Sequence, residues 1–70
     1  MSGKIKKLFD TYGFIKDDTG ADYFFHIADL EDGVRFNHLK IGQRMDYEIL
    51  ETERGKRAVK VIPRSELKGL

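Results

Sequence analysis

A closed all-β barrel of short antiparallel strands is the fold class this sequence predicts. Three observations lead there: five short runs with the period-two alternation of strands, an extended connection between the third and fourth of them, and no apolar helical period of useful length. At 70 residues and with no cysteine, the chain forms one small domain whose core has to come from packing alone. Closing the sheet removes the free edges that would otherwise invite aggregation at this size.

The first strand is expected over Gly3 to Phe9, which has β-branched and aromatic content in Ile5 and Phe9 and lacks a helix cap. Ile5 faces the core between outward Lys4 and Lys6, whereas Leu8 and Phe9 fit either face. Asp10-Thr11 makes a tight turn, since both side chains can hydrogen-bond their own backbone. The second strand, starting at Tyr12-Gly13-Phe14-Ile15, puts Tyr12, Phe14 and Lys16 on one face and Gly13, Ile15 and Asp17 on the other. Residues 17–22 are turn chemistry, with Gly20 able to take a positive φ. The third strand, Tyr23-Phe24-Phe25-His26, then pairs antiparallel with the second and separates Phe24 and His26 from Tyr23, Phe25 and Ile27.

Leu30 and Ile27 are expected to tuck beneath the sheet, with Asp29 capping the turn between them. A loop around Gly33 carries Val34 and Phe36. The fourth strand is the cleanest of the five: Met45, Tyr47 and Ile49 alternate with Arg44, Asp46 and Glu48. Residues 51–56 form a polar hairpin loop with Gly55 in the left-handed region. The fifth strand, Arg57 to Ile62, should bury Val59 and Val61 and expose Lys60. Pro63 stops it, so the domain is expected over 1–63, with 64–70 a polar tail.

The faces of the second and third strands decide the function class. If Tyr12, Phe14, Phe24 and His26 faced inward, Lys16 would be buried with them, so the assignment that turns these rings outward costs less. An exposed aromatic cluster on a sheet needs a reason. Flat rings beside lysines suit single-stranded nucleic acid, in which every base offers a face to stack on and every nucleotide a phosphate to neutralise. The formal charge of +1 says little about a polyanionic ligand, but its distribution says more. Lys4, Lys6 and Lys7 gather in the first strand, Lys16 ends the second, and Arg54, Lys56, Arg57 and Lys60 crowd the last hairpin.

These residues resemble the cold-shock domain family, whose two ribonucleoprotein motifs read roughly K-G-F-G-F-[IV] and [VI]-F-[VF]-H. Tyr12-Gly13-Phe14-Ile15 answers the end of the first motif and Phe24-Phe25-His26 the second. The likeness runs from Gly3-Lys4-Ile5-Lys6 through Leu39-x-x-Gly42-Gln43 to Gly55-x-x-Ala58-x-x-Val61. It implies an OB-type five-stranded barrel, a short helical turn after the second motif, and RNA-chaperone and antitermination activity. It also brings Lys7, Leu8 and Phe9 into the candidate site, because Lys6-Lys7-Leu8-Phe9 aligns in either of two registers with the family's Lys-Trp-Phe-Asn, and Phe36, because a loop aromatic of the family reaches the nucleic acid. Phe36 could equally serve as a lid on the barrel end. The family tryptophan has no counterpart, and Asp10-Thr11 stands where the first motif has Lys-Gly. Both departures point to weaker binding than the family norm.

The expected ligand is therefore single-stranded RNA or DNA with weak sequence preference. Bases would lie on Tyr12, Phe14, Phe24 and His26, while Lys7, Lys16, Lys56, Arg57 and Lys60 neutralise the backbone. Catalysis is not expected, because Phe24 stands between Asp22 and His26 and no nucleophile or oxyanion donor accompanies them. His26 and His38 lack further ligands at metal-binding spacing, so neither metal nor cofactor is expected. No apolar run is long enough for a membrane span or a signal peptide, which predicts a soluble, cytoplasmic monomer. The competing expectation is a barrel that docks on a transcription, translation or RNA-decay complex, with the same rings as its hot spot.

Overall fold

A computed structural model describes residues 1–64. It contains β1 (Ser2–Leu8), β2 (Tyr12–Asp17), β3 (Asp22–His26), 3-10 turns at Ile27–Asp29 and Phe36–His38, β4 (Arg44–Thr52) and β5 (Gly55–Pro63). The strands close into a barrel in the order β1-β2-β3-β5-β4, with β4 returning to β1 through Ser2↔Asp46, Gly3↔Met45 and Lys4↔Arg44. All pairings are antiparallel except β3 with β5, which meet at Phe24↔Arg57. That parallel contact needs a crossover. The crossover is the chain between β3 and β4, which lies against β5 through Leu30↔Val61 and a hydrogen bond from the Glu31 N–H to the Val61 carbonyl.

The expected all-β five-stranded barrel is the fold observed. Its core comprises Ile5, Ile15, Phe25, Leu39, Met45, Tyr47, Ala58 and Val61, all buried. Alternation puts these side chains inside, and burial of each large one contributes roughly 1.5–3 kcal/mol. Gly13 faces Phe25 across the β2–β3 pair. A Cβ at Gly13 would stand 2.6 Å from the Lys7 carbonyl oxygen and 2.9 Å from Phe25 Cε1, so the close approach requires glycine. The 17–22 turn closes as an Asx turn: Asp17 Oδ1 accepts from the Thr19 hydroxyl at 2.6 Å and from the Thr19 and Ala21 N–H groups at 2.9 and 3.0 Å. Gly20 within it has φ +93°.

Two irregularities change what period two alone would give. In β1, Ile5 pairs with Ile15 but Lys7 pairs with Phe14, so one extra residue bulges from the strand. Both Lys6 and Lys7 consequently face solvent, Leu8 turns toward the core and Phe9 emerges 45 % exposed. The open choice between Leu8 and Phe9 is settled by that bulge.

In β5, Glu48↔Val59 and Asp46↔Ile62 frame a second bulge, at which Lys60 adopts φ +51°. Ala58 and Val61 therefore point inward while Val59 is only half-buried, which corrects the expectation that Val59 belongs to the core. Ile27 is corrected too. It is 43 % exposed, because the 3-10 turn rotates it outward while Leu30 packs on the core.

Arg64, assigned to the tail from sequence, pairs with Asp46 of β4 at 2.7 and 3.0 Å. The other tail residues lie outside the described region. Among the described residues no helix is long and apolar enough to cross a membrane.

Candidate functional site

The pairing of β2 with β3 sets Tyr12 opposite His26 and Phe14 opposite Phe24 on the outer face. The β1 bulge and the turn after it bring Phe9 alongside. The Phe9 N–H donates to the Tyr12 carbonyl at 2.8 Å, and the two rings stack with centroids 4.8 Å apart and 16° between planes. Phe14 stands edge-on to Phe9 and Tyr12, each at 6.2 Å, and to Phe24 at 5.9 Å. Tyr12 and Phe24 are 5.7 Å apart. Phe9, Tyr12, Phe14 and Phe24 thus form one continuous array on the barrel wall. Edge-to-face neighbours hold one another at fixed angles, so the array presents ring faces without having to order them when a ligand arrives.

His26 is held by the capping box of the first 3-10 turn. Its Nδ1 accepts from the Ala28 N–H at 3.1 Å, and its own N–H donates to Asp29 Oδ2 at 2.8 Å. With Nδ1 used as acceptor, the neutral ring carries its proton on Nε2 and can offer it to a ligand. Asp29, expected as a cap, also receives Arg57 through Nε at 3.2 Å and through Nη2. The Arg57 guanidinium carbon sits 5.4 Å from the Phe24 ring centroid, within cation–π range.

The basic residues divide into two groups. Lys7 and Lys16 are exposed beside the rings and form no ion pair among the described residues. Lys56 and Arg54 line a groove of about 590 Å³ with Phe24, His26, Thr52 and Arg57, and Lys56 lies 3.8 Å from Glu51. Lys60 is elsewhere. It is 3.7 Å from Glu48 and shares a separate groove with Glu31, Asp32 and Asp46, which corrects its placement on the aromatic rim. The β5 bulge is the cause, since it turns Lys60 toward β4 acids. Arg57 is on the expected face, but its charge is already matched by Asp29.

Two further expectations meet a different geometry. Leu8 packs on the core, so its aliphatic side chain is not part of the outer array. Phe36 also packs on the core, 6.2 Å from Phe25, in the position of the lid alternative and not on the ring array. Arg54 belongs to the cation cluster of the last hairpin but lies outside the contacts expected from sequence. The groove it lines forms only when β5 docks parallel to β3, a pairing with no local sequence signal. Asp10 borders the array next to Leu8, Phe9 and Tyr12, so one acid lies at that edge as expected. Among the described residues no group of His, Cys, Asp and Glu side chains could hold a metal ion.

Comparison with known proteins adds an independent line. The family model described as 'Cold-shock' DNA-binding domain matches residues 1–64. A cold shock-like protein of Thermotoga maritima is 43 % identical over 65 residues, covering 87 % of this chain and 94 % of that protein. Cold shock-like protein CspD of Haemophilus influenzae is 41 % identical over 54 residues, covering 74 % and 72 %. Cold shock protein CspB of Geobacillus stearothermophilus is 37 % identical over 51 residues, covering 73 % and 76 %.

Proposed function

Because the chain belongs to the 'cold-shock' DNA-binding domain family, we propose that it binds single-stranded RNA or DNA by stacking bases on its outer aromatic array. The single observation that carries this reading is the contiguity of Phe9, Tyr12, Phe14 and Phe24 on a wall that ordinary globular packing would hide. Each platform contributes about 1–3 kcal/mol per stacked base. Lys7, Lys16, Arg54 and Lys56 supply the electrostatic part, and His26 adds a donor through Nε2.

Only a single strand exposes its base faces, so binding draws nucleic acid away from duplex and hairpin by mass action, without ATP. In this reading the protein is an RNA chaperone of the cytoplasm, active as a monomer and tolerant of sequence. Stacking asks for a π-face and not for a particular base edge. Catalysis forms no part of it.

The test is a titration of the protein with an oligothymidine and with a matching duplex, read by tyrosine fluorescence and amide shifts. Selective response to the single strand is expected, with Phe14→Ala and Phe24→Ala each losing at least ~1 kcal/mol of binding while keeping the fold. Unchanged affinity in both variants would end the stacking model. No response to either nucleic acid would favour a protein-docking barrel.

A further inference from the structure

On the outer wall, the register places Lys7, Phe14, Phe24, Arg57 and Leu50 in one row across all five strands. The ring array ends at Phe24, but the row does not. Arg57 follows one strand spacing on, about 4.8 Å away, and Leu50 after it is 49 % exposed.

An arginine at that place could act as a point charge that reaches for phosphate. Here its freedom is removed. Asp29 Oδ2 takes both Arg57 Nε and Nη2, and the same oxygen accepts the His26 N–H. The Asp29 side chain is only 13 % exposed, whereas that of Arg57 is 33 % exposed and borders the groove with Arg54 and Lys56. The guanidinium is thus planar, charge-matched, fixed beside an aromatic ring and open to solvent, as a stacking surface for a base requires.

Building on the single-strand reading above, we infer that Asp29 is a positioning residue that holds Arg57 as a flat stacking plate, which extends the base-binding row from Phe24 across β5. Arg54 and Lys56 lie where the phosphate beside that added base would pass. Asp29 needs no contact with the ligand. Its role is to turn Arg57 from a phosphate-seeking cation into a platform.

Charge-preserving substitution separates these roles. Oligothymidine titrations over a range of salt are run on the wild type, Arg57→Lys, Asp29→Asn, the double variant D29N/R57Q and the Phe14→Ala control, with thermal melts to confirm folding. Arg57→Lys keeps the charge and loses the plate, so affinity is expected to fall about five- to tenfold with the salt slope unchanged. The double variant, also charge-neutral, should show the same loss. Asp29→Asn frees Arg57 for phosphate and should steepen the slope of log K against log salt by about 0.7.

Wild-type affinity in Arg57→Lys would overturn the inference, as would an unchanged slope in a folded Asp29→Asn. If Asp29→Asn does not fold, Arg57→Lys decides alone. Binding that depends on Phe14 but not on Arg57 would overturn the plate and leave the aromatic array standing. Absence of wild-type binding would overturn both.

Discussion

Tyr47 combines a fully packed ring with an unsatisfied hydroxyl. Its side chain is 3 % exposed, and its oxygen has no hydrogen-bond partner among the described residues. Burial, aided by the Asp17 carboxylate, pushes the phenol up to about 12 from its ordinary 10. Folding therefore favours the protonated phenol. The stability this contributes is fully present below pH 10 and is lost as pH rises through 12.

Tyr47→Phe removes an orphan polar group and keeps the ring. We expect it to be neutral or stabilising at pH 7 and to blunt the alkaline loss, as followed by denaturant midpoints between pH 8 and about pH 12. Gly13 is the opposite case, a residue whose value lies in having no side chain. Gly13→Ala should cost about 1–3 kcal/mol through overpacking against Phe25, measured by urea unfolding.

At the scale of elements, the two bulges matter more than any strand taken alone. The β1 bulge points Lys6 and Lys7 outward together and swings Phe9 onto Tyr12. Without it, period two would send both Lys7 and Phe9 inward with Ile5. The β5 bulge sets Ala58 and Val61 in the core and carries Lys60 away from the rings. It holds a lysine at φ +51°, where a side chain costs roughly 1–2 kcal/mol. Lys60→Gly should relieve part of that strain and raise the melting temperature. Because Lys60 faces Glu48 and not the array, single-strand affinity should not change. A variant that lost affinity would return Lys60 to the binding rim.

For the whole molecule, cations and acids are nearly balanced, so attraction to a polyanion must be local. Among the described residues, five cations beyond the plate pair with acids: Lys6 with Asp22, Arg44 with Asp18, Lys56 with Glu51, Lys60 with Glu48 and Arg64 with Asp46. Around the rings, Lys7, Lys16 and Arg54 form no ion pair among the described residues, and Lys56 lies 3.8 Å from Glu51. The proposed binding therefore makes about two to four phosphate contacts, for a salt slope of about −0.7 per contact. A flat titration would remove the electrostatic half of the proposed function.

Acid should destabilise the barrel as well. The Thr19 hydroxyl bonded to Asp17, and Arg64 bonded to Asp46, hold both carboxyls below their usual range. Their stabilisation is present above about pH 3.8 and fades as pH falls further. Thermal melts from pH 6 down to about pH 2 should show the decline.

The five strand runs, the long connection after the third and the lack of a helical period determined the barrel class from sequence alone. Alternation in Tyr12-Gly13-Phe14-Ile15 and Tyr23-Phe24-Phe25-His26, with Lys16 on the ring face, determined the inward turn of Ile15 and Phe25 and the outward turn of the rings. Period two is a local property of the extended chain, so adjacent residues carry it openly. Where Leu8, Phe9, Val59, Lys60 and Phe36 point was decided only by tertiary structure. One inserted residue reverses every face beyond it, and its position depends on the partner strand. The union of Asp29, Arg57 and Phe24 likewise waited for β5 to dock beside β3, since residues 28 apart share no local pattern.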